Sequence, residues 1–170
     1  MAKITGWKIN SEIPRELKKY IIAVAPHTSN YDFPIGLMAR GVLGMRAHYL
    51  GKKSLFRFPF GILFRALGGI PVDRSKSHNM VDQIARIAKE RKGFILAITP
   101  EGTRKKVEKW RSGFYFMAFK AEIPIIFTQL DWGRHQVNFL KPFIPSGNFE
   151  SDLPIMQKYF EGIKGYKNRK

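Results

Sequence analysis

Short apolar runs alternate along this chain with segments of helical period, and that alternation decides the class of fold it can adopt. Ile21-Ile22-Ala23-Val24-Ala25, closed by Pro26, and Phe94-Ile95-Leu96-Ala97-Ile98, closed by Thr99-Pro100, have the length and continuous apolarity of buried strands. Ala47-His48-Tyr49-Leu50-Gly51, Ile70-Pro71-Val72 and residues 123–130 and 135–140 read as further strands. Between them, Asp32 before Phe33-Pro34 predicts an N-cap and a first-turn proline for a helix running to about Arg40. Residues 54–68 predict a helix with an aromatic entry around Pro59. Met80, Ile84, Ile87 and Ala88 recur at helical spacing within 77–92, with Ser77 as the cap and Gly93 after the end. Helices are also expected over 114–122 and from Asp152 to about Ile163. The pattern predicts one α/β domain over residues 1–170, a sandwich in which helices cover a mixed, largely parallel sheet, with 165–170 as a basic tail. Sites on such sheets gather in the loops beyond the strands' C-terminal ends.

Composition narrows the function. With 170 residues and 44% apolar content the chain can bury a real core, and two full domains are not expected. It has no Cys, which excludes a disulfide scaffold, a cysteine nucleophile and a thiolate zinc site. Its four His residues (27, 48, 78 and 135) include no pair at metal-ligand spacing, so no metal is expected. The longest apolar stretch, residues 58–72, is interrupted by Arg65 and is too short to span a bilayer. The start, Met1-Ala2-Lys3-Ile4-Thr5-Gly6, carries no apolar signal region, and no signal peptide is expected. Charge is the outlier: 30 Lys and Arg against 13 Asp and Glu give +17. A surface so basic calls for an anionic partner: nucleic acid, anionic lipid, an acidic carrier protein or an acidic substrate.

Three segments carry chemistry. His27 and Asp32 are five residues apart, about 140° around a continuous helix, but they can meet across a strand-to-helix turn. There Asp32 would accept from one imidazole nitrogen and leave the other as a base. The spacing alone leaves open a loop histidine that only bonds locally. Gly68-Gly69-Ile70-Pro71-Val72-Asp73-Arg74 offers backbone approach and a phosphate fork, or simply a turn followed by a solvated ion pair. Pro100-Glu101-Gly102-Thr103-Arg104 puts a carboxylate, a hydroxyl and a guanidinium after a buried strand, or is an ordinary charged turn.

Taken in order, these segments resemble the motifs of the glycerolipid acyltransferase family. The resemblance rests on His27-x4-Asp32, then Lys53-Ser54-Leu55-Phe56 with Pro59-Phe60-Gly61, then Gly69-Ile70-Pro71-Val72-Asp73-Arg74. Pro100-Glu101-Gly102-Thr103-Arg104 and Ile123-Pro124-Ile125-Ile126 complete it, and it covers about residues 20–165. The likeness is greatest to bacterial 1-acyl-glycerol-3-phosphate acyltransferases. It implies transfer of a fatty acyl group from acyl-CoA or an acyl carrier protein to a lysophospholipid hydroxyl, with no other cofactor. The implied acceptor is 1-acyl-glycerol 3-phosphate, or else glycerol 3-phosphate, another lysophospholipid or a lyso-aminolipid. By the resemblance His27 is the general base and Asp32 its orienting partner, with no acyl-enzyme. Glu101, Gly102, Thr103 and Arg104 bind the acceptor, Arg74 contacts its phosphate, and the Ile-Pro-Ile segment lines or supports the acyl site.

Between Asp32 and Asp73 there is no acidic residue, while Arg40, Arg46, Lys52, Lys53, Arg57 and Arg65 supply six cations. Interleaved aromatics suit an anionic bilayer, so Lys53, Phe56, Arg57, Phe58 and Phe60 are expected at a membrane or donor contact. The expected location is cytoplasmic, peripherally bound to the inner membrane face. Two rivals remain at this stage. A nucleic-acid-binding domain suits the charge but has no recognisable signature here. A hydrolase would use the same His27 and Asp32 to activate water.

Overall fold

A computed structural model describes residues 2–4, 6–72, 80–105, 107 and 109–166. Eight strands form one sheet in the order β1-β2-β8-β7-β3-β6-β4-β5. They are β1 (Ala2–Ile4), β2 (Trp7–Ser11), β3 (Lys19–Ala25), β4 (Ala47–Lys52), β5 (Gly69–Val72), β6 (Phe94–Ile98), β7 (Ile125–Asp131) and β8 (Gln136–Phe143). From β7 to β5 every pairing is parallel, whereas β7 with β8 and β1 with β2 are antiparallel. The sheet is therefore mixed and mostly parallel, as expected.

Alternation along the strands sorts side chains to two faces. Ile21, Ala23, Leu96, Ile125 and Phe127 pack with Ile84, Ala88, Phe114, Met117 and Met156 from α3 (Met80–Glu90), α4 (Gly113–Ala121) and α5 (Phe149–Lys158). On the other face Tyr20, Ile22, Ile126 and Leu130 pack with Ala39 of α1 (Asp32–Val42) and with Trp7 and Ile9 of β2. The buried Asp152 carboxylate ties α5 to α4, accepting from the Tyr115 hydroxyl at 2.6 Å and the Ser146 amide at 2.9 Å.

Several expectations need correction. Asp32 is the first residue of α1, not its cap, because its carboxylate reaches back to the amides of Thr28 and Ser29 instead of forward into the helix. The 54–68 segment is a 3-10 turn, Lys53–Phe56, followed by a short α2, Phe60–Ala66. The last helix starts at Phe149 instead of Asp152, since the Asn148 side chain caps it by accepting from the Ser151 amide. β2 extends the sheet by pairing in parallel with β8, a strand not foreseen from the sequence. Ser77, Arg74 and residues 167–170 of the expected tail lie outside the described residues.

Candidate active site

β3 and β6 are parallel neighbours, so the segments that follow them leave the sheet at the same edge. His27 comes two residues after β3, and Glu101 three after β6. This places the first and third sequence segments side by side. The Glu101 Oε1 accepts from the His27 backbone amide at 2.8 Å, and Glu101 is itself buried. One oxygen of the expected acceptor ligand is thus engaged in holding the turn that presents the histidine.

The His27 Nδ1 lies 2.9 Å from Asp32 Oδ2. The same oxygen accepts from the amides of Thr28 at 2.8 Å and Ser29 at 2.9 Å. Asp32 Oδ1 accepts from the indole Nε1 of Trp132 at 2.8 Å. The carboxylate is almost fully buried while the imidazole keeps 24% of its side-chain exposure, so the acid is enclosed and the base reaches outward. Burial by itself pushes the Asp32 carboxyl up. Hydrogen bonds from His27, Ser29, Trp132 and Thr28 outweigh it and hold the group below the usual aspartate value. The N-terminal end of α1 adds to this preference for negative charge. An ionised Asp32 fixes the tautomer in which His27 Nδ1 carries the proton and Nε2 the basic lone pair.

Trp132 was not legible as a site residue: it lies 100 positions from Asp32. Asp131 shapes the β7–β8 turn that delivers it, accepting from the amides of Gly133 and Arg134. Trp7 and Tyr166 then clamp the indole edge-on, at 4.9 and 4.6 Å between ring centroids.

His27 and Asp32 stand on the wall of a cavity of about 790 Å³. One arm runs between α1 and the sheet, lined by Ile22, Ala39, Leu130, Val137 and Phe139. Its volume and apolar walls are those of a small-molecule site, on the order of 300–1,000 Å³. Thr128 also lines it, and its buried hydroxyl has no partner among the described residues. Thr128→Val should therefore raise stability by about 1 kcal/mol, or roughly 2–4 °C in Tm, as read by thermal unfolding. An unchanged or lower Tm would mean that the hydroxyl is solvated or bonded.

At the mouth, Gly102 lines the cavity in the left-handed region, at φ +65°. A side chain there would strike the Arg111 stem, 2.7 Å from its Cβ position, so glycine permits Arg111 to lie across the turn. Arg111 lines the mouth as well, a cation that the motif itself did not single out. Thr103 is half-buried, with its hydroxyl accepting from the Lys105 amide at 3.3 Å, and Arg104 is exposed. Arg74 lies outside the described residues. The Ile123-Pro124-Ile125-Ile126 segment lies away from the cavity wall. It enters β7 at the strand's opposite end and is core. Of the residues expected at a membrane or donor contact, Lys53, Arg57, Phe58 and Phe60 are exposed but Phe56 is buried. Its ring fills the space left by Gly51 and Gly69, where a Cβ would come within 2.8 Å of it. Among the described residues no group of three His, Asp or Glu side chains is placed to hold a metal ion.

Comparison with known proteins bears on the fold and the family. The fold matches the crystal structure of the 1-acyl-sn-glycerophosphate (LPA) acyltransferase PlsC from Thermotoga maritima with a TM-score of 0.62 at 18% identity. That match covers 91% of this chain and 70% of the other. No curated protein matches the chain by sequence. A family model described as Acyltransferase matches residues 8–127, which span β2 to β7 and hold every residue of the strand-end cluster except Trp132. Since that match takes in well over half of the sequence, the chain belongs to the acyltransferase family.

Proposed function

We propose that this acyltransferase moves a fatty acyl group from a thioester, acyl-CoA or an acyl carrier protein, to the hydroxyl of a lysophospholipid. The reading is carried by one observation: an Asp32-oriented imidazole on the wall of a large apolar cavity. The acceptor hydroxyl gives its proton to His27 Nε2 while its oxygen attacks the thioester carbonyl. The tetrahedral intermediate collapses with cleavage of the C–S bond, and the imidazolium protonates the departing thiolate. Asp32 keeps the ring aligned and stabilises its charged form, without accepting the proton. The attacking group comes with the substrate, so no acyl-enzyme forms and no cofactor takes part. The cavity arm beneath α1 receives the acyl chain. Arg111 at the mouth, Arg104 two residues beyond the mouth glycine Gly102, and Arg74 of the second sequence motif meet an acceptor phosphate, which favours 1-acyl-glycerol 3-phosphate. A lipid acceptor and a charge of +17 suit a peripheral protein at the cytoplasmic membrane face. None of the described helices is long and apolar enough to cross a membrane.

Thiol release from long-chain acyl-CoA, with and without 1-acyl-glycerol 3-phosphate, tests the reaction. The chain has no Cys to contribute background. Acceptor-dependent release with a diacyl product is expected. Release of free fatty acid independent of acceptor would identify a hydrolase. Arg104→Ala should raise the acceptor KM about tenfold or more, as loss of a charge-assisted phosphate contact does, with little change in acceptor-independent leakage. Equal loss of both activities would remove Arg104 from the acceptor site.

A further inference from the structure

We propose that residues 55–65 form a prebuilt bilayer-docking surface that seats this protein on an anionic lipid membrane with its cavity wall against the lipid. Five large apolar side chains are exposed within nine residues: Leu55, Phe58, Phe60, Ile62 and Leu63. Phe58 is 89% and Ile62 71% exposed. Isolated exposed hydrophobes are ordinary, but such a cluster marks an interaction surface.

The segment is built to present these side chains. Phe56 is buried beneath it, and the Gly61 amide donates to the Arg57 carbonyl at 2.8 Å. Below, the Tyr49 hydroxyl donates to the Phe64 carbonyl at 3.2 Å, and the Arg40 guanidinium donates to the Leu67 carbonyl. Arg40, grouped in the sequence with the surface cations, is thereby a brace between α1 and the end of α2. The apolar side chains therefore stand on a fixed base, which lowers the ordering cost of insertion.

Charge selects the partner. Lys52, Lys53 and Arg57 are exposed around the apolar cluster, Arg65 lies 5.5 Å from the Phe56 ring centroid, and no acidic residue occurs between positions 32 and 73. Rings and aliphatic chains enter the acyl boundary while the cations stay at anionic headgroups. An acidic carrier protein would satisfy the cations but would leave Phe58 and Ile62 without an apolar environment. The surface is also continuous with the cavity. Phe33 and Tyr49 both line the cavity and pack edge-on at 5.1 Å, and Tyr49 is the residue bonded to α2. The docking surface rests on exposure and charge alone, whereas its use in lipid delivery rests on the acyl-transfer reading.

Because the chain lacks Cys, Ile62→Cys can carry a single environment-sensitive dye. Ser151→Cys, exposed on α5 over a different part of the sheet, serves as the control. With phosphatidylcholine vesicles containing about one-third phosphatidylglycerol, the dye at 62 should blue-shift and brighten while that at 151 does not, and added salt should weaken the response. Pure phosphatidylcholine should bind much less. In cosedimentation the Phe58→Asp/Ile62→Asp double variant should bind the anionic vesicles about tenfold or more weakly. No response at 62, an equal response at both positions, or undiminished binding by the double variant would overturn the proposal. So would docking of an acidic carrier protein at 62 without vesicle binding. Vesicle binding without thioester turnover would leave the surface standing and sink the acyl-transfer reading; turnover without vesicle binding would do the reverse.

Discussion

His27→Ala should lower acceptor-dependent thiol release about 10²–10⁴-fold, the range for removing a positioned general base. The variant should fold, because His27 is partly exposed and contributes one of the donors that Asp32 accepts. His48→Ala is the informative control. His48 lines the same cavity, but its ring contacts the Gly68 carbonyl at 3.3 Å instead of a carboxylate. An imidazole so placed is not oriented by an acid, and its loss should cost less than about tenfold. Comparable losses from the two variants would mean that the effect comes from cavity shape and not from proton transfer. Circular dichroism of both variants separates either outcome from misfolding.

Much of this site could be read from the sequence because its parts are local. The turn between β3 and α1 carries both His27 and Asp32, so five residues of spacing and a predicted strand-to-helix transition bring them together. Glu101 was legible as a neighbour only in part. That its segment leaves the sheet beside His27 follows from the pairing of β3 with β6, which separates contacting residues by 74 positions. Trp132 was illegible for the same reason in stronger form, since no local pattern links an indole on a β7–β8 turn to a carboxylate on α1. The opposite fates of Phe56 and Phe58 show another limit. Both read as aromatic positions beside a cation, yet glycines at 51 and 69, on the paired strands β4 and β5, make room for one ring alone. β2 carries an alternating pattern, with Trp7 and Ile9 buried and Lys8 exposed, but five residues of alternation do not say which strand it will join.

Asp32→Asn should be damaging twice over, and pH separates the two effects. Asp32 Oδ2 accepts from His27, Thr28 and Ser29, and Oδ1 from Trp132. An amide must aim its NH₂ at one of these donor sets. The lesser conflict is with Trp132, which leaves a buried donor unsatisfied and costs about 1–3 kcal/mol. A neutral amide also cannot stabilise the imidazolium, so turnover should fall by a factor on the order of 10²–10⁴. The stability loss should depend on pH in one direction. The native carboxyl lies below its ordinary value, so its stabilisation is complete above the unfolded-state pKa of about 3.9 and is lost as pH falls through the lowered native value. Denaturant unfolding should show the gap between wild type and Asp32→Asn narrowing as pH falls below about 4. Asp152 is also held low, but it is present in both proteins and cancels in the difference. A gap independent of pH would mean that the loss is one of packing and that the Asp32 charge contributes nothing to holding the base in place.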